Sequence, residues 1–320
     1  MRKEVPAVTA MACLFVISIM LAMVTSYILP SEYQVFGSEN TQNIWAVVYL
    51  FGVVTVFTAI ILAIAKWYKA QLIQIIILFA AGMSVLYVAY PLLLIAGLGQ
   101  YAWDSIIDLA FVISAVIGSL VVLVLLKFPE WYVVDAVGVV MAGGVTAIFG
   151  ISLQTSVIII ALLIFAVYDY ISVFKTKHMV SLADNVMEYR LPVLLVIPKS
   201  RGYSFLKQAR LKKQLEDKSE REAMFMGLGD IVFPGMLVVS ALYFLPYGYT
   251  TRIGLDGNIW VALCTLAGCL VGFLVLMRFV LKGDPQPGLP LLNGGAIAGY
   301  LISAYLTYGS FMLAVPSLGL

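Results

Sequence analysis

Apolar residues run almost without interruption along this chain, broken by short polar turns and by one long polar stretch. Runs long enough to cross about 30 Å of hydrocarbon as helices fall at 7–29, 44–65, 71–96, 105–126, 131–150, 153–174, 223–245, 258–281 and 288–309. The pattern predicts an all-α, polytopic membrane protein with nine transmembrane helices. Pro91, near the end of the third run, predicts a kink or a closing turn. Only Lys127 to Glu130 separate the fourth and fifth runs, and only Gly150 to Ser152 the fifth and sixth, so these neighbours must run antiparallel. Arg2 and Lys3 precede the first run, whose length exceeds the roughly 7–15 residues of a secretion-signal core, which predicts a retained helix.

The same pattern divides the chain into three parts: 1–174 with the first six spans, a polar loop over 175–222, and 223–320 with the last three spans. Inside the loop, Leu191 to Pro198 is too short to span and aliphatic enough to form a strand. A charged, helical-looking stretch, Phe205 to Glu222, follows it.

Composition agrees with the pattern. Of 320 residues, 62% are hydrophobic and 11% charged, against about 25% charged in soluble domains. Charge placement says more than the net +2. In a nine-span chain, all but one of the 19 Lys and Arg residues fall on the side of the N-terminus and the sixth loop, Arg252 being the exception. The positive-inside rule then predicts a cytoplasmic N-terminus and sixth loop, with the C-terminus outside. Nucleic-acid binding gains no support. Cys13, Cys264 and Cys269 all lie in apolar runs, which indicates neither disulfides nor a metal site. His178, the one histidine, reads as a surface residue of the basic loop.

Against this background two carboxylates stand out. Asp169 lies near the end of the sixth run and Asp230 near the start of the seventh, one on each side of the polar loop. Ionisable groups inside a membrane span cost roughly 2.5–3.5 kcal/mol each on insertion scales and usually mark function. Counted from the flanking basic residues at 1.5 Å per residue, both sit about 10 Å inside the cytoplasmic boundary, and consecutive antiparallel helices at equal depth let them meet. Two carboxyls held close in a low-dielectric site share a proton, so that one can activate a water while the other protonates a carbonyl. That chemistry needs neither metal nor cofactor.

Their neighbours fit the role. Gly227 and Gly229 permit close approach beside Asp230, and Pro234 withholds the amide that would bond the Asp230 carbonyl, which predicts a kink. Pro287-Gly288-Leu289-Pro290 predicts an irregular start to the last span, with free main-chain groups at similar depth. Asp108 and Asp135 also lie just inside spans, where snorkelling to the interface, or pairing with Lys127, accounts for them. Gly268 with Gly272 and Gly295 with Gly299 suit helix packing.

The Tyr168-Asp169 pair, the Gly227-Leu228-Gly229-Asp230 run and the Pro287-Gly288-Leu289 element resemble the Tyr-Asp, Gly-x-Gly-Asp and Pro-Ala-Leu motifs of the presenilin and signal peptide peptidase family of intramembrane aspartyl proteases. Gly288 stands where that family has Ala. Motif order and span count agree over most of the chain, which is similar to presenilin-like members of archaeal type. The resemblance implies a presenilin-like fold, Asp169 and Asp230 as catalytic pair, and a site shaped by Tyr168, Gly227, Gly229, Pro287, Gly288 and Leu289. It further implies hydrolysis of peptide bonds within transmembrane segments of membrane proteins or signal peptides, in the lipid bilayer of a prokaryotic cell membrane. The alternative reading of buried carboxylates is a proton- or ion-coupled transporter. Prepilin-type, rhomboid-like and zinc intramembrane proteases are disfavoured by the missing lysine after the Asp230 segment and by the absence of Gly-x-Ser-Gly and His-Glu-x-x-His motifs.

Overall fold

Helices form where backbone polar groups must be satisfied inside hydrocarbon, since only intrasegment bonding does so for an isolated span. The computed structural model describes residues 4–29, 31–37, 40–67, 70–98, 102–103, 107–176, 194–199, 223–249, 254–281 and 286–314. Among them are nine α-helices: α1 Val5–Ile28, α2 Trp45–Trp67, α3 Ala70–Ile95, α4 Leu109–Lys127, α5 Trp131–Ser152, α6 Thr155–Ile171, α7 Gly229–Phe244, α8 Gly257–Val280 and α9 Gly288–Tyr308. Seven are long and apolar enough to cross a membrane, and α2 and α7 contribute shorter apolar stretches, Trp45–Phe57 and Gly229–Phe244. Pro91 is accommodated inside α3. His178, Leu191 to Val193 and the charged stretch Phe205 to Glu222 lie outside the described residues.

The centre of the bundle is α5, 72% of whose membrane window is buried, against 22% for the peripheral α4. Its glycines explain this. A Cβ at Gly143 would stand 3.0 Å from Leu21 of α1, one at Gly150 would stand 2.5 Å from Val239 of α7, and one at Gly144 would overlap Val88 of α3. Three helices thus approach α5 at van der Waals distance because these positions carry no side chain. The tightest pairing is between α8 and α9, where Gly268 and Gly295 meet backbone to backbone and a Cβ on Gly299 would stand 2.6 Å from the Cys264 carbonyl oxygen. The sequence expectation for these glycines holds.

Two short antiparallel hairpins interrupt the helical pattern. β1 (Ala102–Trp103) pairs with β2 (Ile107–Asp108), and β3 (Leu194–Pro198) pairs with β4 (Ala223–Gly227). The strand expected within the apolar octet is thus present. The seventh span, expected to be helical from 223, instead opens with β4 and becomes helical at Gly229. The physical reason is the partner: β3 supplies the main-chain groups that a non-helical segment needs at that depth.

Snorkelling does not describe the two remaining acids. Asp108 caps α4, accepting from the Phe111 amide at 2.7 Å and from the Tyr90 hydroxyl at 2.9 Å. Asp135 is buried at 4% exposure, and its Oδ1 accepts from the Val196 amide of β3 at 2.7 Å.

Both ends of the bundle carry ties between distant loops. On one side Lys199, just past β3, donates to Glu4 at the start of α1 at 2.9 Å, and that bond holds the Glu4 carboxyl below its ordinary range. On the other, the Val35 amide donates to Ser152 Oγ, and the Gln154 amide to the Thr41 carbonyl.

The α8–α9 contact yields a stability test. Gly295→Val places methyl groups against the Gly268 backbone, and overpacking of this kind costs about 1–3 kcal/mol or more. The variant should melt at a lower temperature than wild type in the same detergent, whereas Gly294→Val, at a position with open space around its Cβ, should change Tm little.

Candidate active site

Three helix termini converge beside the β3–β4 hairpin. Helix α6 brings Asp169 in its last turn, α7 brings Asp230 in its first, and α9 presents its N-terminus to both. Asp169 is buried at 3% exposure, and its Oδ2 accepts a hydrogen bond from the Leu289 amide at 3.0 Å. Asp230 is partly exposed. An added Cβ on Gly288 would stand 3.1 Å from Asp230 Oδ1 and 3.4 Å from its Oδ2. The two carboxyls therefore lie against consecutive residues of one backbone, within electrostatic reach of each other.

Helix α9 starts more regularly than its prolines suggest. Pro287 is the N-cap, Gly288 opens the first turn and Pro290 sits three residues past the cap. The first amides of a helix have no intrahelical acceptor, so Pro290 loses nothing by lacking one. What remains is a free Leu289 N–H at the positive end of the helix dipole, the arrangement that favours an anion. The main-chain donors expected at this depth are present, without the irregular backbone.

Local sequence also shapes the two carboxylate-bearing ends. α6 widens after Ile171 into a π-helical turn, Ser172–Thr176, directly after the segment that bears Asp169. Such turns are rare and recur at functional sites. Pro234 lies inside α7, four residues past Asp230, and withholds the amide that would bond the Asp230 carbonyl. Gly227 closes β4 with its amide facing the Asp230 carboxyl and its Cα open, an added Cβ lying 3.6 Å from Oδ2.

Of the residues singled out in the sequence, Asp169, Asp230, Gly227, Gly288 and Leu289 are brought together, with Pro287 as the cap beneath them. Gly229 and Tyr168 are not. A Cβ on Gly229 would meet Phe233, 3.5 Å away, rather than either carboxyl. Tyr168 points away from its neighbour, 46% exposed, with its ring edge-on to Phe51 of α2 at 5.9 Å.

Other residues here escaped the motif reading. Phe165 and Phe233 pack with ring centroids 4.2 Å apart, one turn from Asp169 and Asp230 respectively. That spacing was the available signal, since residues three and four apart share a helix face. Asn293, one turn past Leu289, is 1% exposed and donates from Nδ2 to the Leu162 carbonyl at 2.9 Å. With the Asp169–Leu289 bond it forms a second polar rung between α6 and α9.

Comparison with known proteins bears on the family. No curated protein matches the chain significantly. Residues 12–309 match the family model described as signal-peptide peptidase, presenilin aspartyl protease. Among solved structures, a presenilin family intramembrane aspartate protease matches in two crystal forms, C222 and P2, each at 30% identity and a TM-score of 0.64. Each alignment covers 93% of this chain, and 99% and 97% of the respective other chains. Nothing in these matches supports a transporter. Two carboxyls meeting at a helix N-terminus inside a multi-pass membrane protein, together with a match along nearly the whole chain, place this protein in the signal-peptide peptidase and presenilin family: it is an intramembrane aspartyl protease.

Proposed function

We propose that Asp169 and Asp230 are the catalytic pair and that the enzyme cuts peptide bonds within transmembrane segments of membrane proteins or signal peptides. The observation that carries the reading is the shared contact: both carboxyls lie against Gly288–Leu289, with Asp169 oriented by a main-chain amide. One carboxyl draws a proton from water as that water attacks the scissile carbonyl, and the other donates a proton to the carbonyl oxygen. Gly227, Gly288 and Leu289 line the pair in this reading, and Pro287 caps the helix that presents them.

The substrate strand is proposed to pair with β4. The Val196 amide points to Asp135, away from β4, so Val196 and Phe225 form a non-hydrogen-bonded pair in the antiparallel register. The N–H and C=O of Phe225 then face outward, on an edge that leads through Gly227 to Asp230. Strand addition at an open edge is a general way to hold an extended peptide. The outer edge of β3 is occupied by Asp135 instead.

The protein resides in a prokaryotic cell membrane in this reading, with the N-terminus and sixth loop cytoplasmic and the C-terminus outside. The bias of basic residues supports it, and the Lys199–Glu4 pair supports a common side for the N-terminus and the sixth loop.

Three experiments test these points. In a purified assay with a single-span model substrate, Asp169→Asn and Asp230→Asn should each lower turnover by about 10²–10⁴-fold; full activity in either variant removes that aspartate from the pair. Leu289→Pro deletes the amide bonded to Asp169 at a position where a helix tolerates proline, and should cost turnover about 10–100-fold, the scale of a hydrogen bond to a charged group. Leu289→Ala keeps the amide and should lose much less, so equal losses would contradict the role of the N–H. Phe225→Pro should raise KM or abolish cleavage while leaving the β3–β4 bonds intact, and unchanged kinetics would exclude β4 as the substrate strand.

A further inference from the structure

We propose that Asp135 is a positioning residue that clamps the β3–β4 hairpin and thereby sets where along the substrate the cut falls. The inference rests on Asp230 being part of the catalytic pair. Asp135 belongs to α5, remote in sequence from every motif of the site, and is buried inside the bundle with 4% exposure. Its Oδ1 holds the Val196 amide at 2.7 Å, while its Oδ2 is buried without a partner among the described residues.

A carboxylate in such a place is costly, and packing alone would be served by an apolar side chain. Its one bond falls on the middle of β3, on the strand edge that β4 leaves free. The rest of α5 supports the same element. Gly138, one turn on, packs beneath the hairpin and the turn that follows it: an added Cβ would stand 3.0 Å from Leu195 and 3.4 Å from Leu228. Leu228 is the one residue between β4 and α7. Beyond β3, Lys199 ties the chain to Glu4.

The hairpin is thus gripped at its centre by Asp135, underneath by α5 and at its far end by α1. Because β4 passes into α7 through a single residue, a displacement of β3 away from α5 that carries β4 with it shifts the open strand edge against Asp230. Closing the outer edge of β3 with a side chain also leaves β4 as the edge open to a peptide. Asp135 touches neither carboxyl of the pair in this arrangement; it acts through the strand.

The test compares full-length wild type with Asp135→Asn, Asp135→Leu and Val196→Pro, all reconstituted with the same single-span substrate. Products are mapped by mass spectrometry, kcat and KM are measured, and backbone hydrogen exchange is followed in the peptide covering 194–198. Asp135→Leu should speed exchange in that peptide, add new cleavage positions and lower kcat at least about tenfold with little change in KM, within the 10²-fold that a misplacement of about 1 Å can cost. Asp135→Asn keeps an acceptor oxygen and should preserve the wild-type cleavage positions. Wild-type exchange and cleavage positions in Asp135→Leu would overturn the proposal, as would an equal loss in Asp135→Asn and Asp135→Leu without new cleavage positions.

Should Asp135→Leu fail to fold, Val196→Pro decides the matter, because it removes the donor from the outward side of β3 and leaves the carboxyl in place. New cleavage positions there support the clamp, and unchanged ones overturn it. The exchange measurement needs no cleavage, so it stands apart from the Asp230→Asn result on which the dyad depends.

Discussion

A polar group inside a bilayer must find its partner within the protein, because the solvent there offers none. Each unusual feature of this molecule follows from that constraint. Asp169 takes the Leu289 amide, one of the few N–H groups a helix leaves free. Asp135 takes the Val196 amide, which the strand pairing leaves free. β3 and β4 persist among the helices because each supplies the bonds that the other needs. Even Pro290 conforms, since it occupies a helix position where a missing donor costs nothing.

The same constraint orders the packing. Little hydrophobic force draws helices together in lipid, so close backbone approach must do much of the work. In α5 the glycines admit α1, α3, α7 and the hairpin around one axis, and in α8 and α9 they bring two backbones into contact. The first set centres the helix that carries Asp135, and the second fixes the helix whose N-terminus faces Asp169 and Asp230. Packing and site are therefore built from the same small residues.

Much of this was legible in the chain. Nine apolar runs gave nine helices because span length is dictated by the bilayer, and Asp169 and Asp230 stood out because carboxylates are rare at that depth. The octet before Lys199 was readable as a strand from its aliphatic content. Its partner was not, because Ala223 to Gly227 is as apolar as the helix it precedes and hydrophobicity alone cannot separate the two. Asp135 was misjudged for a related reason: its distance from the span end matches that of a snorkelling residue, and only the return of β3 against α5 buries it. Tyr168 adjoins Asp169 in sequence, yet neighbouring helix positions face different ways, which turns its ring to Phe51.

The long sequence separations of these bonds have a consequence for how the protein is made. Val196 follows Asp135 by 61 residues, and Leu289 follows Asp169 by 120. At synthesis rates of about 5–20 residues per second, each carboxyl is made roughly 3–24 s before its amide partner. Helices α5 and α6 must therefore be inserted on the strength of their apolar residues alone, carrying an unpaired acid. The partner of Asp169 comes only with the last third of the chain, so the nascent protein holds no completed site until α9 has left the ribosome.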